Sequence, residues 1–158
     1  MRREKDISLP QFSQPLCTAL QIALVDLLRS FGISPAAVVG HSSGEIAAAY
    51  TIGALSHSSA CKVAYFKGQL AGKLAATTVT PGAMMSANLV EADIPGLLEK
   101  LGLANGDSAI HVACVNSPVN VTLTGPVDSL RVFQRYLDKQ GIFAKAVPTG
   151  VAYHSPVR

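Results

Sequence analysis

The Gly-x-Ser-x-Gly motif at residues 40–44 constrains the fold of this chain more than any other feature. The apolar residues 35–39 before it predict a short buried strand, and residues 46–50 after it predict a closely packed helix. A strand, this motif and a helix in direct succession are typical of a nucleophile elbow, a strained turn that exposes the hydroxyl group of its serine. Ser42 is therefore the first candidate for a catalytic nucleophile.

The chemistry expected of such a turn is acyl transfer. The N–H groups at the start of the following helix are placed to stabilise a developing oxyanion, and the two glycines permit the tight backbone. A plainer interpretation of the same residues is a capping box, in which Ser42 caps the helix that contains Glu45. The predicted strand and helix on either side of the turn favour the elbow.

The composition indicates a globular protein. The chain has 158 residues, of which 49% are hydrophobic and only 15% are charged. Its formal net charge is +3, and the basic cluster Arg2, Arg3 and Lys5 is interpreted as a solvated tail, so nucleic-acid binding is not expected. The apolar stretch at residues 16–28 is too short to span a bilayer, and no signal-peptide pattern follows the basic start. We expect a cytoplasmic protein without a membrane segment.

The predicted elements change in character along the chain. Residues 16–31 and 58–76 carry apolar side chains at helical spacing, and a loop signal near Pro81 separates them from shorter elements. The shorter elements are, in order, strand 83–89, helix 92–101, strand 109–115, strand 119–124, helix 127–140 and strand 142–147. This βαββαβ order is that of a ferredoxin-like unit.

The last residues, a predicted return segment at 148–158, carry the candidate general base. A serine hydroxyl needs an imidazole within hydrogen-bonding reach to accept its proton and later return it. His154 is that candidate, although a loop histidine is more commonly only solvated. His41 is expected to shape the elbow or line the site. No pair of histidines or cysteines has the spacing of a metal site or a disulfide framework, so neither is predicted.

A second polar candidate lies between the two middle strands. Asn116-Ser117-Pro118 predicts the hairpin turn that joins them. Asn116 is interpreted first as a turn residue, and a direct role in binding substrate is the alternative.

Five segments of the chain occur in the order of a known family. They are Gln14-Pro15 opening a helix, residues 40–50, Tyr65-Phe66-Lys67-Gly68, Asn116-Ser117-Pro118 followed by residues 121–125, and Tyr153-His154-Ser155-Pro156. Together they resemble the malonyl-CoA/acyl carrier protein transacylase family, and most closely the acyltransferase domain of fungal iterative, highly reducing polyketide synthases. The resemblance covers nearly the whole chain. It implies an α/β fold with an incomplete α/β-hydrolase-like core in residues 1–81 and a ferredoxin-like small subdomain in residues 82–147.

The resemblance also implies a ping-pong transfer of a malonyl-type acyl group. Ser42 attacks the thioester of an acyl-coenzyme A, forms an acyl-serine ester, and passes the acyl group to the phosphopantetheine thiol of an acyl carrier protein. His154, oriented by a backbone carbonyl group, serves both half-reactions. The N–H of Ser43 supplies half of the oxyanion hole. The residues implied to contact substrate are Gln14, His41, Lys67 and Asn116.

The partners follow from the same resemblance. Coenzyme A thioester and carrier-bound phosphopantetheine are substrates in this scheme, so no bound cofactor or metal is required. The expected partners are an acyl carrier protein domain and the adjoining ketosynthase and other synthase domains.

Two departures from the family pattern affect these expectations. Lys67 stands where malonyl-selective members carry an arginine; lysine keeps the charge but loses the bidentate fork, which predicts looser selection of malonyl groups. An ordinary exposed helix lysine is the alternative. The family's first strand and Gly-Gln-Gly loop, which supplies the other oxyanion donor, have no counterpart here, so we interpret the chain as a fragment and expect weak or no turnover from it.

Two other functions stay open. A serine esterase or thioesterase of the α/β-hydrolase type needs a carboxylate between the serine and the histidine. The candidates are Asp93, Asp107, Asp128 and Asp138. They fall in the predicted ferredoxin-like unit, away from the strand ends where a triad acid would lie. A catalytically inactive acyltransferase fragment is the non-enzymatic alternative, and intact Ser42 and His154 argue against it.

Overall fold

The computed structural model describes residues 7–78, 81–147 and 149–155. The chain forms two compact units, Met1–Lys73 and Leu74–Arg158, which we call the first and second unit. The predicted mixed α/β class is confirmed. The predicted division at residue 81 remains a prediction.

The first unit contains helices α1, Pro10–Ser30, and α2, Gly44–Thr51, and most of α3, His57–Thr77, whose last four residues fall in the second unit. The helices predicted at residues 46–50 and 58–76 are thereby confirmed. All three contribute to a small core that consists of Ile22, Ile46, Ala60 and Ala64. None of the helices within the described ranges is both long enough and apolar enough to cross a membrane.

Helix α1 begins earlier than the sequence interpretation placed it, so the predicted opening at Gln14-Pro15 is wrong. Pro10 occupies the first helical turn, where the N–H that proline lacks would have no partner within the helix. Pro15 lies inside the helix instead. Gly32 follows the end of α1 with φ +78°, a left-handed conformation that favours glycine and stops the helix.

The strand predicted at residues 35–39 is absent, and this prediction is wrong. The segment has no assigned secondary structure, and the side chain of Val39 is 96% exposed. Apolar character alone does not make a strand, because the backbone of a strand must pair with a neighbouring strand. No partner strand lies beside this segment among the described residues of the first unit.

The second unit contains the complete βαββαβ order that the sequence predicts. Its strands and α-helices are β1 Gly82–Ala87, α4 Ile94–Lys100, β2 His111–Ser117, β3 Asn120–Pro126, α5 Val127–Lys139 and β4 Ala144–Val147. Short 3₁₀ turns at Glu91–Asp93 and Gly106–Ser108 precede α4 and β2. Every predicted element of this unit is therefore confirmed, with differences only at the ends.

The four strands form one sheet in the order β2-β3-β1-β4, and every neighbouring pair is antiparallel. This is the strand order of the predicted ferredoxin-like unit, in which β3 lies between the parallel strands β1 and β2. Alternate side chains point to opposite faces of a sheet. One face packs with α4 and α5 in a core that includes Met85, Ala87, Val121, Leu123, Ile94, Leu98, Phe133 and Leu137. The opposite face carries polar side chains, described below.

Candidate active site

Ser42 lies on a strained turn immediately before α2. Its φ is +52°, and the other non-glycine residue with a positive φ in the described ranges is His154, with φ +57°. A left-handed backbone at a residue other than glycine costs about 1–3 kcal/mol and persists where the surrounding structure enforces it. The two strained positions are the two residues that the sequence predicts as nucleophile and general base. The Ser42 side chain is exposed.

Gly40 is the position that makes this turn possible. A Cβ atom at Gly40 would lie 2.4 Å from both the Cα and the backbone nitrogen of Glu45, so no other residue fits without moving the backbone. Gly44, the second glycine of the motif, has no atom within 4 Å of the equivalent position and a φ outside the left-handed region. The tight approach therefore depends on Gly40, whereas the expectation that both glycines are needed is not supported at Gly44.

The backbone N–H groups at the start of α2 are not equivalent. Those of Gly44, Glu45 and Ile46 donate to the carbonyl oxygens of His41, Ser42 and Ser43, at 2.9, 3.2 and 3.2 Å. No hydrogen bond from the Ser43 N–H is recorded among the described residues. Ser43, and not Ser42, is the N-cap of α2, and the Ser43 side chain makes no capping bond. The capping-box alternative for Ser42 is therefore wrong.

Helix α2 is held in place through polar contacts with α1. The Tyr50 hydroxyl donates to Asp26 Oδ1 at 2.6 Å, and Arg29 Nη2 donates to the Thr51 carbonyl oxygen at 2.6 Å. The hydrogen bond to Asp26 raises the pKa of the Tyr50 phenol above its usual value. These contacts fix the helix whose first turn follows Ser42.

Gln14 and Lys67 lie on helices that pack against each other. A Cβ atom on Gly68 would lie 2.6 Å from the Pro10 carbonyl oxygen and 3.3 Å from Gln14 Cβ, so α1 and α3 touch closely beside Lys67. The Gln14 Oε1 atom is buried and has no hydrogen-bond partner among the described residues. Lys67 is partly buried, unlike the ordinary exposed lysine of the alternative interpretation.

A polar stripe on α1 was missed by the sequence analysis. Buried side-chain oxygens without a partner in the described part of the chain recur along one face of the helix: Gln11, Gln14, Thr18 and Gln21. Their spacing of three, four and three residues places them on the side that faces the small residues of α3. The four polar residues at helical spacing are a signal of this stripe in the sequence, but the sequence analysis identified Gln14 alone.

A largely apolar cavity of about 620 Å³ lies beside the elbow within the first unit. Residues of α1, of α2 and of segment 35–41 line it, among them Gln21, Leu24, Val39 and His41. Ser42 is not among the lining residues, although its neighbours His41 and Gly44 are.

His154 lies in the second unit, on a short segment that follows β4. A Cβ atom on Gly82 would lie 2.6 Å from Ala152 Cβ and 2.8 Å from the Ala152 backbone nitrogen, so the segment passes directly over the start of β1. The Thr149 hydroxyl donates to the Val151 carbonyl oxygen at 2.8 Å, and the Val151 side chain is buried. The His154 side chain is exposed. Residues 148 and 156–158 of the predicted return segment lie outside the described residues.

Tyr153, next to His154, is a second residue that the sequence analysis gave no role. Its hydroxyl group is buried without a hydrogen-bond partner among the described residues. Burial raises the pKa of this phenol above its usual value.

Asn116 lies inside strand β2, so its interpretation as a turn residue is wrong. The strand continues to Ser117 and β3 begins at Asn120, which leaves residues 118–119 as the turn. The Asn116 Nδ2 group donates to Asn120 Oδ1 and to Thr122 Oγ1, each at 2.8 Å. Asn116 is therefore a hydrogen-bonded residue of the sheet face opposite α4 and α5.

The aspartates required by the esterase interpretation lie on helices or 3₁₀ turns of the second unit. Asp93 and Asp107 belong to the 3₁₀ turns, and Asp128 and Asp138 belong to α5. Asp128 Oδ1 is 3.2 Å from Arg131 Nη1 on the same helix, in an exposed ion pair. Within the ranges that the structure describes, no group of three or more potential metal ligands comes together.

The sequence of the chain, including the turn at Ser42, matches a known family. A model of the acyl transferase domain family matches residues 3–158. The chain belongs to the acyl transferase domain family.

The relatives of this acyltransferase chain are large fungal synthases. Highly reducing polyketide synthase 2 of Gibberella zeae is 56% identical over 152 residues, which are 96% of this chain and 6% of that protein. Highly reducing polyketide synthase cla2 of Cladosporium cladosporioides is 49% identical over 155 residues, 97% of this chain and 6% of that protein. The chain therefore spans about 6% of the length of the curated relatives it matches.

Solved acyltransferase structures share its fold. A loading acyltransferase of the avermectin modular polyketide synthase superposes with a TM-score of 0.85 at 29% identity, over 96% of this chain and 46% of that chain. The malonyl CoA-acyl carrier protein transacylase of Burkholderia pseudomallei gives a TM-score of 0.81 at 22% identity, over 96% of this chain and 50% of that chain. The second comparison shows the fold alone.

Proposed function

We propose that this chain carries the acyl-transfer site of a polyketide synthase acyltransferase, with Ser42 as the nucleophile. The observation that supports the proposal most strongly is the left-handed backbone of an exposed Ser42 directly before α2, held by the close approach of Gly40 to Glu45. Such a turn presents a hydroxyl group beside a helix N-terminus, which is the arrangement that acyl transfer requires. As part of the same proposal, the elbow belongs to an α/β-hydrolase-like core.

The proposed first half-reaction moves an acyl group from coenzyme A to Ser42. Its Oγ attacks the thioester carbonyl carbon while His154 accepts the hydroxyl proton. The carbon–sulfur bond of the tetrahedral intermediate then breaks, and the coenzyme A sulfur leaves with the proton from His154. An acyl-serine ester remains on the enzyme.

The proposed second half-reaction reverses these roles with a different thiol. The phosphopantetheine thiol of an acyl carrier protein gives its proton to His154 and attacks the ester carbonyl carbon. The carbon–oxygen bond breaks, and Ser42 Oγ regains the proton. No bound cofactor takes part in either step. Adjoining ketosynthase and carrier domains are the proposed partners, as expected for an acyltransferase within a synthase.

The Ser43 N–H is the proposed oxyanion donor. The next three backbone N–H groups along the chain donate to carbonyl oxygens. The Ser43 N–H donates to no backbone carbonyl oxygen among the described residues. One such donor contributes about 10²–10³ in rate to acyl-transfer enzymes. The oxyanion charge forms next to Ser42, so the following N–H is the nearest backbone donor.

Selection of the acyl group is proposed to depend on Lys67, with Gln14, His41 and Asn116 as further contacts. The Lys67 ammonium group attracts the free carboxylate of a malonyl group as a point charge, without the fixed two-bond geometry of arginine. The buried Gln14 Oε1 offers an acceptor to a substrate donor group. We expect a malonyl preference that is weaker than that of an arginine-bearing site.

The proposal is tested by offering the purified chain malonyl-coenzyme A together with free pantetheine. Malonyl-pantetheine and free malonate are quantified by mass spectrometry, and Ser42→Ala and His154→Ala serve as the inactive variants. Malonyl-pantetheine that forms faster than malonate, and only with Ser42 present, is the expected result. Rapid release of malonate, or rapid hydrolysis of an aryl ester that Asp128→Asn abolishes, would establish the esterase instead.

A further inference from the structure

The sheet face of the second unit opposite α4 and α5 carries a continuous network of short polar side chains. Its members come from three strands and the residue after β1: Ser86, Asn88, Asn116, Asn120 and Thr122. We call this set the amide network. It lies opposite the core face, since Ser86 and Thr122 alternate along their strands with the buried Ala87, Val121 and Leu123.

Asn120 is the centre of the amide network. Its Oδ1 accepts hydrogen bonds from Asn116 Nδ2 at 2.8 Å and from Ser86 Oγ at 3.3 Å. Its own Nδ2 donates to Asn88 Oδ1 at 2.7 Å. Asn120 thus connects Asn116 on β2 to the end of β1 on the other side of β3, and this fixes its amide plane from both sides.

The network also determines what Asn116 presents. The two hydrogens of its Nδ2 group go to Asn120 and Thr122, which uses the full donor capacity of the amide. The Oδ1 atom is then the polar atom that Asn116 offers to a ligand. A free asparagine side chain would have to lose rotamer freedom on binding, whereas this one is already held.

We propose that Asn120, supported by Asn88 and Ser86, is a positioning residue that orients Asn116 for acyl transfer. This inference rests on the proposed function, because it gives Asn116 a substrate contact in that reaction. Asn120 acts through Asn116 and touches no substrate. Loss of Asn120 leaves Thr122 as the one partner of the Asn116 Nδ2 group within the amide network, so the productive orientation of Asn116 is populated for a smaller part of the time.

The test is the rate of acylation of Ser42 by malonyl-coenzyme A, followed by intact-protein mass spectrometry over a range of substrate concentrations. Asn120→Ala and Asn116→Ala are each expected to slow acylation about 5- to 10-fold, the effect of losing one oriented hydrogen bond. The double variant is expected to be no slower than Asn116→Ala alone, because both changes remove the same contact. Asn105→Ala, at an exposed asparagine outside the network, is the matched control.

Asn120→Asp supplies the conservative variant. Aspartate keeps the oxygen that accepts from Asn116, and the Asn88 amide can turn over to donate to it. We expect Asn120→Asp to recover most of the rate lost in Asn120→Ala. A purely structural role predicts instead that rate follows thermal stability in all variants, whatever the group at position 120.

The outcomes separate this inference from the function on which it rests. If Asn120→Ala is acylated at the wild-type rate, the positioning role alone is overturned. The same holds if the rate losses of the two single variants multiply in the double variant. An acyl adduct that Ser42→Ala does not remove overturns the proposed function and the positioning role with it. The side-chain amide protons of Asn116 give an independent readout by NMR: Asn120→Ala must speed their exchange with solvent.

Discussion

The two units of this chain bury their apolar residues to very different extents. The second unit has a closed core in which Phe133, Leu137, Val121 and Leu123 have no exposed surface. The first unit leaves large apolar side chains of α1 and of the residue after it exposed: Leu16, Leu20, Leu24, Leu27, Leu28 and Phe31. Its own core is four residues, two of them alanine.

The difference follows from how each unit completes its secondary structure. In the second unit, β2 and β3 are joined by a two-residue turn, and β1 pairs with β3 and β4 in the same unit. An antiparallel sheet of this kind satisfies its own backbone and covers one face with its own helices. The elbow segment at 35–39 has no such partner in the first unit. The predicted catalytic turn thus belongs to the less buried unit.

The largest expected effect tests this difference in burial directly. Leu137→Ala removes a fully buried side chain from the second unit and is expected to lower the free energy of unfolding by about 2–5 kcal/mol. Leu20→Ala, at a side chain that is 64% exposed in the first unit, is expected to change it by less than about 0.5 kcal/mol. Urea unfolding followed by circular dichroism measures both. Equal losses would mean that the apolar face of α1 is covered in solution.

The next effect concerns the elbow. Gly40→Ala forces the backbone of the turn away from Glu45 and is expected to slow acylation of Ser42 by about 10²-fold or more, because the hydroxyl group is displaced. Gly44→Ala, where no atom lies within 4 Å, is expected to have a far smaller effect. Acylation rates and melting temperatures distinguish a displaced nucleophile from an unfolded chain. If the two variants behave alike, the close approach of Gly40 is not what holds the turn.

A smaller effect is expected where the segment that carries His154 crosses β1. Gly82→Ala places a methyl group against Ala152, so the segment must shift, and acylation is expected to fall about tenfold. Gly96→Ala in α4 meets open space and is expected to stabilise the helix by about 0.5–1 kcal/mol with the rate unchanged. A Gly82→Ala chain as active as wild type would argue against a fixed position for His154.

The smallest effect is a pH dependence from Tyr153. Burial raises the pKa of its phenol in the folded chain, so the folded state retains the proton more strongly than the unfolded state. This contribution to stability is fully present below the unfolded value near 10 and is lost as pH rises through the folded pKa. Tyr153→Phe is expected to reduce the loss of thermal stability between about pH 9 and pH 11. An unchanged pH profile would place the hydroxyl group in water.

The sequence predicted the second unit more completely than the first because its structure is local. Each strand is a short apolar run bounded by turn residues, and its partners lie within the same stretch of the chain. The strand at 35–39 failed because pairing, and not apolar character, makes a strand. The left-handed turn at Ser42 was predictable from its motif, since glycine two residues before the serine signals a close backbone approach.

The contacts of Asn116 were beyond reach of sequence patterns for a different reason. Its partners Asn120 and Thr122 face it because of the register between β2 and β3, and Asn88 joins through β1. Register depends on the whole sheet, so the sequence analysis interprets an asparagine two residues before a proline as part of the turn. The polar residues along α1 are visible in the sequence, but only the structure shows that their buried oxygens have no hydrogen-bond partner among the described residues.

The central claim is that Ser42 is the acyl-accepting nucleophile, and intact-protein mass spectrometry tests it most directly. The purified chain is exposed briefly to malonyl-, methylmalonyl- and acetyl-coenzyme A, alongside Ser42→Ala and a matched Ser58→Ala variant at an exposed serine in the first turn of α3. We predict an acyl adduct on wild type and Ser58→Ala that is absent from Ser42→Ala and is largest with malonyl-coenzyme A. An adduct that survives Ser42→Ala, or one that Ser58→Ala removes, would contradict the account.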